Sequence, residues 1–490
     1  MLPLSLYVMR MKTTICPQSG FARQIDRYLN SVWYPISMGA LCAFSGMGDS
    51  SRYTVCMGIL VVTILLTVLF ASDCKPLFVP MLMGFCALGK DTSSSYDEQV
   101  GDVMLSYNGG AFAFVIGLGV LSVIALLIRF WKDGTLRDIW KNRGRFTWSI
   151  LAMDVAFVCN GFFSPHWLPI DLAYGLLMAF GFTFFYFICV SIARRGKNVA
   201  KFACQCVLCT SLLGLVQVTF LFAHLYQQGL LAFQAGMLTE ESRNAVELGW
   251  GISTSISAYL VLGIPAAFYL AANHRYSAIS YFLGFGIFIC IVALASRGPI
   301  VAGCFGMILG VIGCCFGKNK ASCRKYTLAI GCCLPVFLLV YHLWVHPLPQ
   351  VVDKFLEASR FDILAEDGRP RLWARGLQHF ANWPIFGVGF EKGAFTGYQI
   401  LRNVFANMYH NLFIQFIAAM GVLGLAAYGL HIWQVGRLWR KPTANTVLLL
   451  ILPLMIFIMS MVDNFFFYMN QQIVYCMFLA VTEREIGERK

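Results

Sequence analysis

Apolar runs of about twenty residues alternate with short polar connections from one end of the chain to the other. A spanning helix needs about 20 apolar residues, because a hydrocarbon core of about 30 Å is crossed at about 1.5 Å per residue. The pattern predicts about fourteen membrane-crossing helices, near 32–48, 53–71, 76–89, 110–128, 147–164, 167–193, 202–226, 248–272, 276–295, 298–316, 326–346, 406–433, 444–463 and 469–482. The third and the last are short enough to tilt or re-enter, which sets a lower figure of twelve. The expected fold is all-α: one polytopic integral membrane domain over 1–490 with about 12–14 transmembrane helices.

Composition agrees. Of 490 residues, 58% are hydrophobic and 12% charged, against about 25% charged in soluble domains, and mean hydropathy is +0.68. A net charge of +13 in a soluble protein would raise nucleic acid as a partner. Here the basic residues sit in short clusters between apolar runs, so no nucleic acid is expected and the charge reports orientation. Arg129/Lys132/Arg137/Lys141/Arg143/Arg145, Arg194/Arg195/Lys197/Lys201, Lys318/Lys320/Arg324/Lys325 and Arg437/Arg440/Lys441 fall on one side when the spans are counted off. By the positive-inside rule that side is the cytoplasm, and both termini lie there. Asp91, Asp97, Glu98, Asp102, Glu240, Glu241 and Glu247 fall on the other side. One connection is long, the sixty-residue loop 347–406, and it faces outward. The N-terminus has Arg10 and Lys12 but no continuous apolar stretch or small-residue cleavage site, so no removable signal peptide is expected.

Several motifs imitate chemistry. The eighteen cysteines lie almost all inside apolar runs and read as small core residues. Cys204-x-Cys206-x-x-Cys209 has no matching second pair, and Cys314-Cys315 and Cys332-Cys333 read the same way, so no metal site is expected. Gly84-x-x-x-x-Gly89-Lys90 resembles a phosphate loop, but Asp91 stands where Ser or Thr must hold magnesium and no strand precedes it. His342 and His346 lie one helical turn apart without a third ligand, which favours an interfacial pair.

The residues that carry chemistry lie on the outward side. Arg297, in Ser296-Arg297-Gly298-Pro299, stands between two spans otherwise free of charge, a position that points to function or to snorkelling toward lipid headgroups. The long loop carries Arg369, Arg371 and Arg375, whose forks suit phosphate oxygens bidentately or pair with Glu366 and Asp367. Pro384-x-x-Gly387-x-Gly389 lets backbone approach a ligand or another helix. Met408-Tyr409-His410-Asn411 opens the twelfth span, ahead of Gln415 and Gly421-x-x-Gly424. An imidazole there can serve as a base near neutral pH or simply be solvated.

Taken in order, Ser296-Arg297-Gly298, Gly368-Arg369-x-x-x-Trp373-x-x-Gly376-Leu377, Pro384-x-x-Gly387-x-Gly389, His410-Asn411 and Gly421-x-x-Gly424 resemble the O-antigen ligase and O-antigen polymerase family over residues 245–430. The resemblance implies an all-helical glycosyltransferase of the C type with a large extracytoplasmic loop between two late spans. It implies transfer of a glycan from a polyprenyl-diphosphate carrier to a hydroxyl of a lipid or glycan acceptor, with no metal, nucleotide sugar or other cofactor. It places the protein in a bacterial inner or sole membrane with its active site outward. By the same resemblance Arg297 and Arg369 match essential arginines and His410 the essential histidine. Arg369 is preferred because it stands four residues before Trp373, although Pro370 follows it directly and Arg371 adds a second substrate-binding candidate. Tyr409, Asn411 and Gln415 are expected to support His410 or to contact sugar.

The alternative from another class is a carrier without catalysis, such as a flippase for lipid-linked sugars, with Asp154 in the fifth span as a proton relay. Against it stand the long arginine-bearing loop and the absence of an internal repeat expected of many transporters. Ligase and polymerase are not separated by these residues.

Overall fold

The computed structural model describes residues 20–47, 50–87, 109–136, 141, 143–163, 169–234, 236–344, 352–353, 369–390, 409–440 and 442–487. Most of the long loop, the acidic stretch 91–102, His346 and Met408 lie outside the described residues.

The chain runs through α1 (Gly20–Leu29), α2 (Trp33–Gly46), α3 (Ser50–Phe70), α4 (Phe78–Met83), α5 (Gly109–Lys132), α6 (Thr147–Phe163), α7 (Pro169–Arg195) and α8 (Val199–Gln227). It continues through the short α9 (Glu240–Ala245), then α10 (Ser253–Leu260), α11 (Gly263–Asn273), α12 (Ser277–Ala293), α13 (Arg297–Cys314) and α14 (Lys320–Trp344). The last elements are α15 (Arg369–Asn382), α16 (Leu412–Gly436), α17 (Ala444–Ser460) and α18 (Met469–Gly487). Among the described residues eight helices are long and apolar enough to cross a membrane, and α6, α12 and α17 are shorter apolar helices. The fold is thus an all-α polytopic membrane protein.

Three predicted boundaries shift. The short third span is the six-residue α4 between two single turns of 3₁₀ helix. The eighth starts at Ser253, because residues 247–252 form a small antiparallel hairpin, Glu247–Leu248 with Gly251–Ile252. The twelfth starts at Leu412, because the Asn411 side chain caps the helix by accepting from the Phe413 and Ile414 amides at 3.0 and 3.2 Å, satisfying donors that have no partner within the helix.

Burial grades from centre to rim. In the stretch Ser253–Asn273 94% of the span is buried, whereas in the outlying α14 only 6% is, so α10–α11 form the axis around which the other helices pack. The α13 glycines Gly303, Gly306 and Gly310 leave room for Phe288, Met455 and Phe268, the small-residue packing that lets helices approach closely in lipid.

The two ends of the bundle differ. At one end basic side chains close the C-terminal turns of helices: Arg129 donates to the Thr67, Val68 and Ala71 carbonyls at 2.7–2.9 Å, and Arg484 donates to Ala193 and Gly196. Cations there satisfy orphaned carbonyls and the negative end of the helix dipole. The opposite end carries the residues singled out for chemistry.

Candidate functional site

The turn between α12 and α13 is only three residues long, with Ala295 in the left-handed region at φ 53°. Arg297 is the first residue of α13 and half-buried. The turn is held from outside: Ser253 Oγ donates to the Leu294 carbonyl at 3.0 Å, and Arg243 Nη1 donates to the Ala295 carbonyl at 3.4 Å. Burial, then repulsion from Arg297 and Arg369, holds the Arg243 guanidinium below the ordinary arginine pKa. Cations from three separate connections therefore stand near enough for Arg297 and Arg369 to act on Arg243.

Arg369 opens α15, the described helix of the long loop. This helix lies on α16 through Gly376, where a Cβ would meet Ile414 and the Tyr409 ring at 2.4–3.1 Å, and through Leu372, packed with Ile414 against Tyr409 and Ala418. Arg369 is half-buried and Arg371 is exposed. Arg297 and Arg369 both begin helices, where the dipole disfavours a cation and favours an anion.

The glycine motifs of the loop and of α16 meet. Within α16, Gly421 has φ 63° and ψ −154°, which breaks the helix. The freed backbone groups pair with the loop: Val388 N donates to the Ala418 carbonyl at 2.9 Å, Gly389 N to Ala419 at 3.0 Å, and Val422 N to Pro384 at 2.7 Å. Gly387 (φ 71°) and Gly421 sit where a Cβ would lie 2.3–2.5 Å from the backbone of the opposing segment. This splice fixes α15 and the start of α16 as one unit.

His410 lies just ahead of that unit's helix with φ 51°. Its Nδ1 is 2.9 Å from Asp463 Oδ1, in the turn between α17 and α18. Asp463 Oδ1 also accepts from the Asn464 amide at 2.7 Å. An ionised carboxylate there accepts a hydrogen bond from Nδ1–H and leaves Nε2 as the acceptor of the neutral ring. The His410 side chain is 37% exposed and that of Asp463 14%, so the ring reaches the surface while its partner is sheltered.

Tyr409, Asn411 and Gln415 hold this pair from behind. The Tyr409 hydroxyl lies 2.7 Å from His379 Nδ1, and its amide donates to Gln415 Oε1 at 3.0 Å. Gln415 Oε1 also accepts from Asn464 Nδ2 at 2.8 Å, and Asn411 Nδ2 donates to the Met461 carbonyl at 3.0 Å. Tyr409 and Gln415 are fully buried.

Asp463, Asn464, His379 and Arg243 were not among the residues expected from the sequence. Asp463 left a trace there, being the only charged residue between Lys441 and Glu483. Arg243 is hidden in an acidic stretch, Glu240-Glu241-Ser242-Arg243, that reads as solvated surface. Elsewhere, Asp154 is buried and accepts a hydrogen bond from Thr183 midway along α6. Among the described residues no group of three or more His, Cys, Asp or Glu side chains is arranged to hold a metal ion.

Residues 279–429 match the model of the O-antigen ligase family. No curated protein and no solved structure matches the chain. The matched stretch begins in α12 and ends in α16, so it contains Arg297, Arg369, His410 and the glycine splice, and leaves Arg243 and Asp463 outside. The stretch that bears Arg297, Arg369 and His410 is thus similar to the O-antigen ligase family, whose members serve surface polysaccharide synthesis, and it sits within a multi-pass membrane protein.

Proposed function

We propose that the end of the bundle bearing His410 faces outward from a bacterial cytoplasmic membrane and transfers a glycan from a polyprenyl-diphosphate carrier to an acceptor hydroxyl on a lipid or another glycan. Arg297 and Arg369 hold the diphosphate. His410 Nε2 takes the proton of the attacking hydroxyl, the new glycosidic bond forms at C1, the C1–O bond to phosphate breaks on the opposite face, and polyprenyl diphosphate leaves. Asp463 keeps the imidazole in the reactive tautomer and stabilises the imidazolium as it forms. Fixed guanidiniums in a partly dry site stabilise the leaving group's charge more than water does, and this needs no metal ion. The polyprenyl tail lies between spans at the membrane surface.

The observation that carries this reading is the His410–Asp463 pair set at the same end of the bundle as Arg297 and Arg369. It is tested with the full chain in lipid vesicles, supplied with defined polyprenyl-diphosphate glycans and an acceptor. Transfer that persists in EDTA is expected, and product length separates single transfer by a ligase from polymerisation. No transfer from any diphosphate-linked donor, or strict dependence on magnesium or manganese, would overturn it.

A further inference from the structure

Arg243 lies outside the family-matched stretch, yet the short helix that carries it is tied down by several hydrogen bonds. Thr239 caps α9 by accepting from the Ser242 amide. The buried Ser242 hydroxyl donates to the Leu230 carbonyl and accepts from the Ala232 amide, each at 2.8 Å. Beyond α9, Val246 accepts from the Ser253 amide at 3.0 Å. The helix is thereby pinned between two hairpins, Phe233–Gln234 with Met237–Leu238 before it and Glu247–Leu248 with Gly251–Ile252 after it, and a rigid support of this kind holds a side chain where it is needed without ordering it on binding. The guanidinium projects over the α12–α13 turn. Among the described residues its one hydrogen bond is the 3.4 Å contact to the Ala295 carbonyl, two residues before Arg297. A guanidinium has five N–H donors, and this contact uses one of them.

Half-burying a third cation beside Arg297 and Arg369 costs free energy through desolvation and like-charge repulsion, and an anion in their midst offsets both. The charge count of the donor suggests when. A glycosyl polyprenyl diphosphate is a diester with two negative charges, matched by two arginines. When the C1–O bond breaks, the electron pair stays on the phosphate oxygen, and the polyprenyl diphosphate released carries up to three.

We infer that Arg243 is a third phosphate-binding arginine, directed at the oxygen that gains charge as the glycosyl bond breaks. The inference rests on the diphosphate reading given above. An interaction that grows as charge develops accelerates the chemical step more than it tightens donor binding.

The test uses the full-length protein in detergent, with glycan-loaded polyprenyl diphosphate and free polyprenyl diphosphate as the two probes. Arg243→Gln is expected to lower the transfer rate about 100-fold. It should also weaken binding of free polyprenyl diphosphate by about tenfold more than binding of the loaded donor, since only the former carries the additional charge. Arg243→Lys, which keeps the cation and guards against a folding artefact, should fall between wild type and Gln on both measures. Equal losses for the two probes would assign Arg243 a merely structural role and overturn the inference, as would an unchanged rate. If wild-type protein binds neither probe, the diphosphate reading itself fails, an outcome separate from a wild type that binds both and a variant that behaves like it.

Discussion

His410 Nδ1 and Asp463 Oδ1 are 2.9 Å apart although 53 residues separate them in sequence. The contact joins the start of α16 to the turn after α17, and in the proposed mechanism it sets which ring nitrogen of His410 meets the substrate proton. Asp463→Asn keeps the shape but offers the ring either an amide donor or a neutral acceptor. Losing a partner that orients a reactive imidazole typically costs about 10- to 100-fold. The expected outcome is a drop of that size in kcat, with donor affinity within about threefold of wild type because the arginines are untouched. A matching loss in donor affinity would show that Asp463 shapes the whole site instead.

The spans were legible in the sequence because an apolar run of about twenty residues reports its environment locally. Every predicted run corresponds to described helix, down to the short third one, now α4 with its 3₁₀ flanks. What the sequence hid is non-local. The break in α16 at Gly421 lies inside a continuous apolar stretch, and nothing there signals that Pro384–Gly389 will supply the missing backbone partners. The family-like motifs point to Arg297, Arg369 and His410 as candidates, but a motif names residues on one segment only. Arg243 and Asp463 arrive from connections far along the chain, and their placement is decided by helix packing.

The splice itself can be tested. An alanine at Gly387 or Gly421 must adopt a positive φ and push its Cβ against opposing backbone, which cannot yield as a flexible side chain would. Strain of this kind costs about 1–3 kcal/mol, and the clash adds to it. Both variants should lower the unfolding temperature in detergent and reduce transfer, because α15 and its Arg369 lose their fixed position. Gly117→Ala, in open space on α5, should be neutral or stabilise by up to about 1 kcal/mol. Equal effects at all three would mean that the splice does not hold the loop.

Orientation is checked by labelling. Cysteines introduced at Glu241 and at Lys320 lie at opposite ends of the bundle, and a membrane-impermeant thiol reagent applied to intact cells should reach the first and spare the second. The native cysteines supply the background, most of them buried. Labelling at Lys320 from outside would invert the protein and put Arg297 and His410 in the cytoplasm.

Arg369 and Arg371 stand two residues apart at the start of α15, one half-buried in reach of Arg243 and the other exposed. If position, not charge alone, makes the phosphate site, the two must respond differently to the same change. Lysine preserves the cation but replaces a planar, bidentate fork with a single mobile ammonium. At Arg369 or Arg297 the substitution removes a preorganised donor, a loss worth about 100- to 1,000-fold in rate. At exposed Arg371 a water-screened cation is exchanged for another, and the change should stay within about threefold, in line with the small energies of surface charges. The measurement is glycan transfer by each variant, normalised to folded protein in the membrane. Full activity in Arg369→Lys would mean that a point charge suffices and that the fork geometry is not used. Equal loss in Arg371→Lys would instead place the phosphate on the outer face of α15, away from His410, and the transfer mechanism would have to be rebuilt around that face.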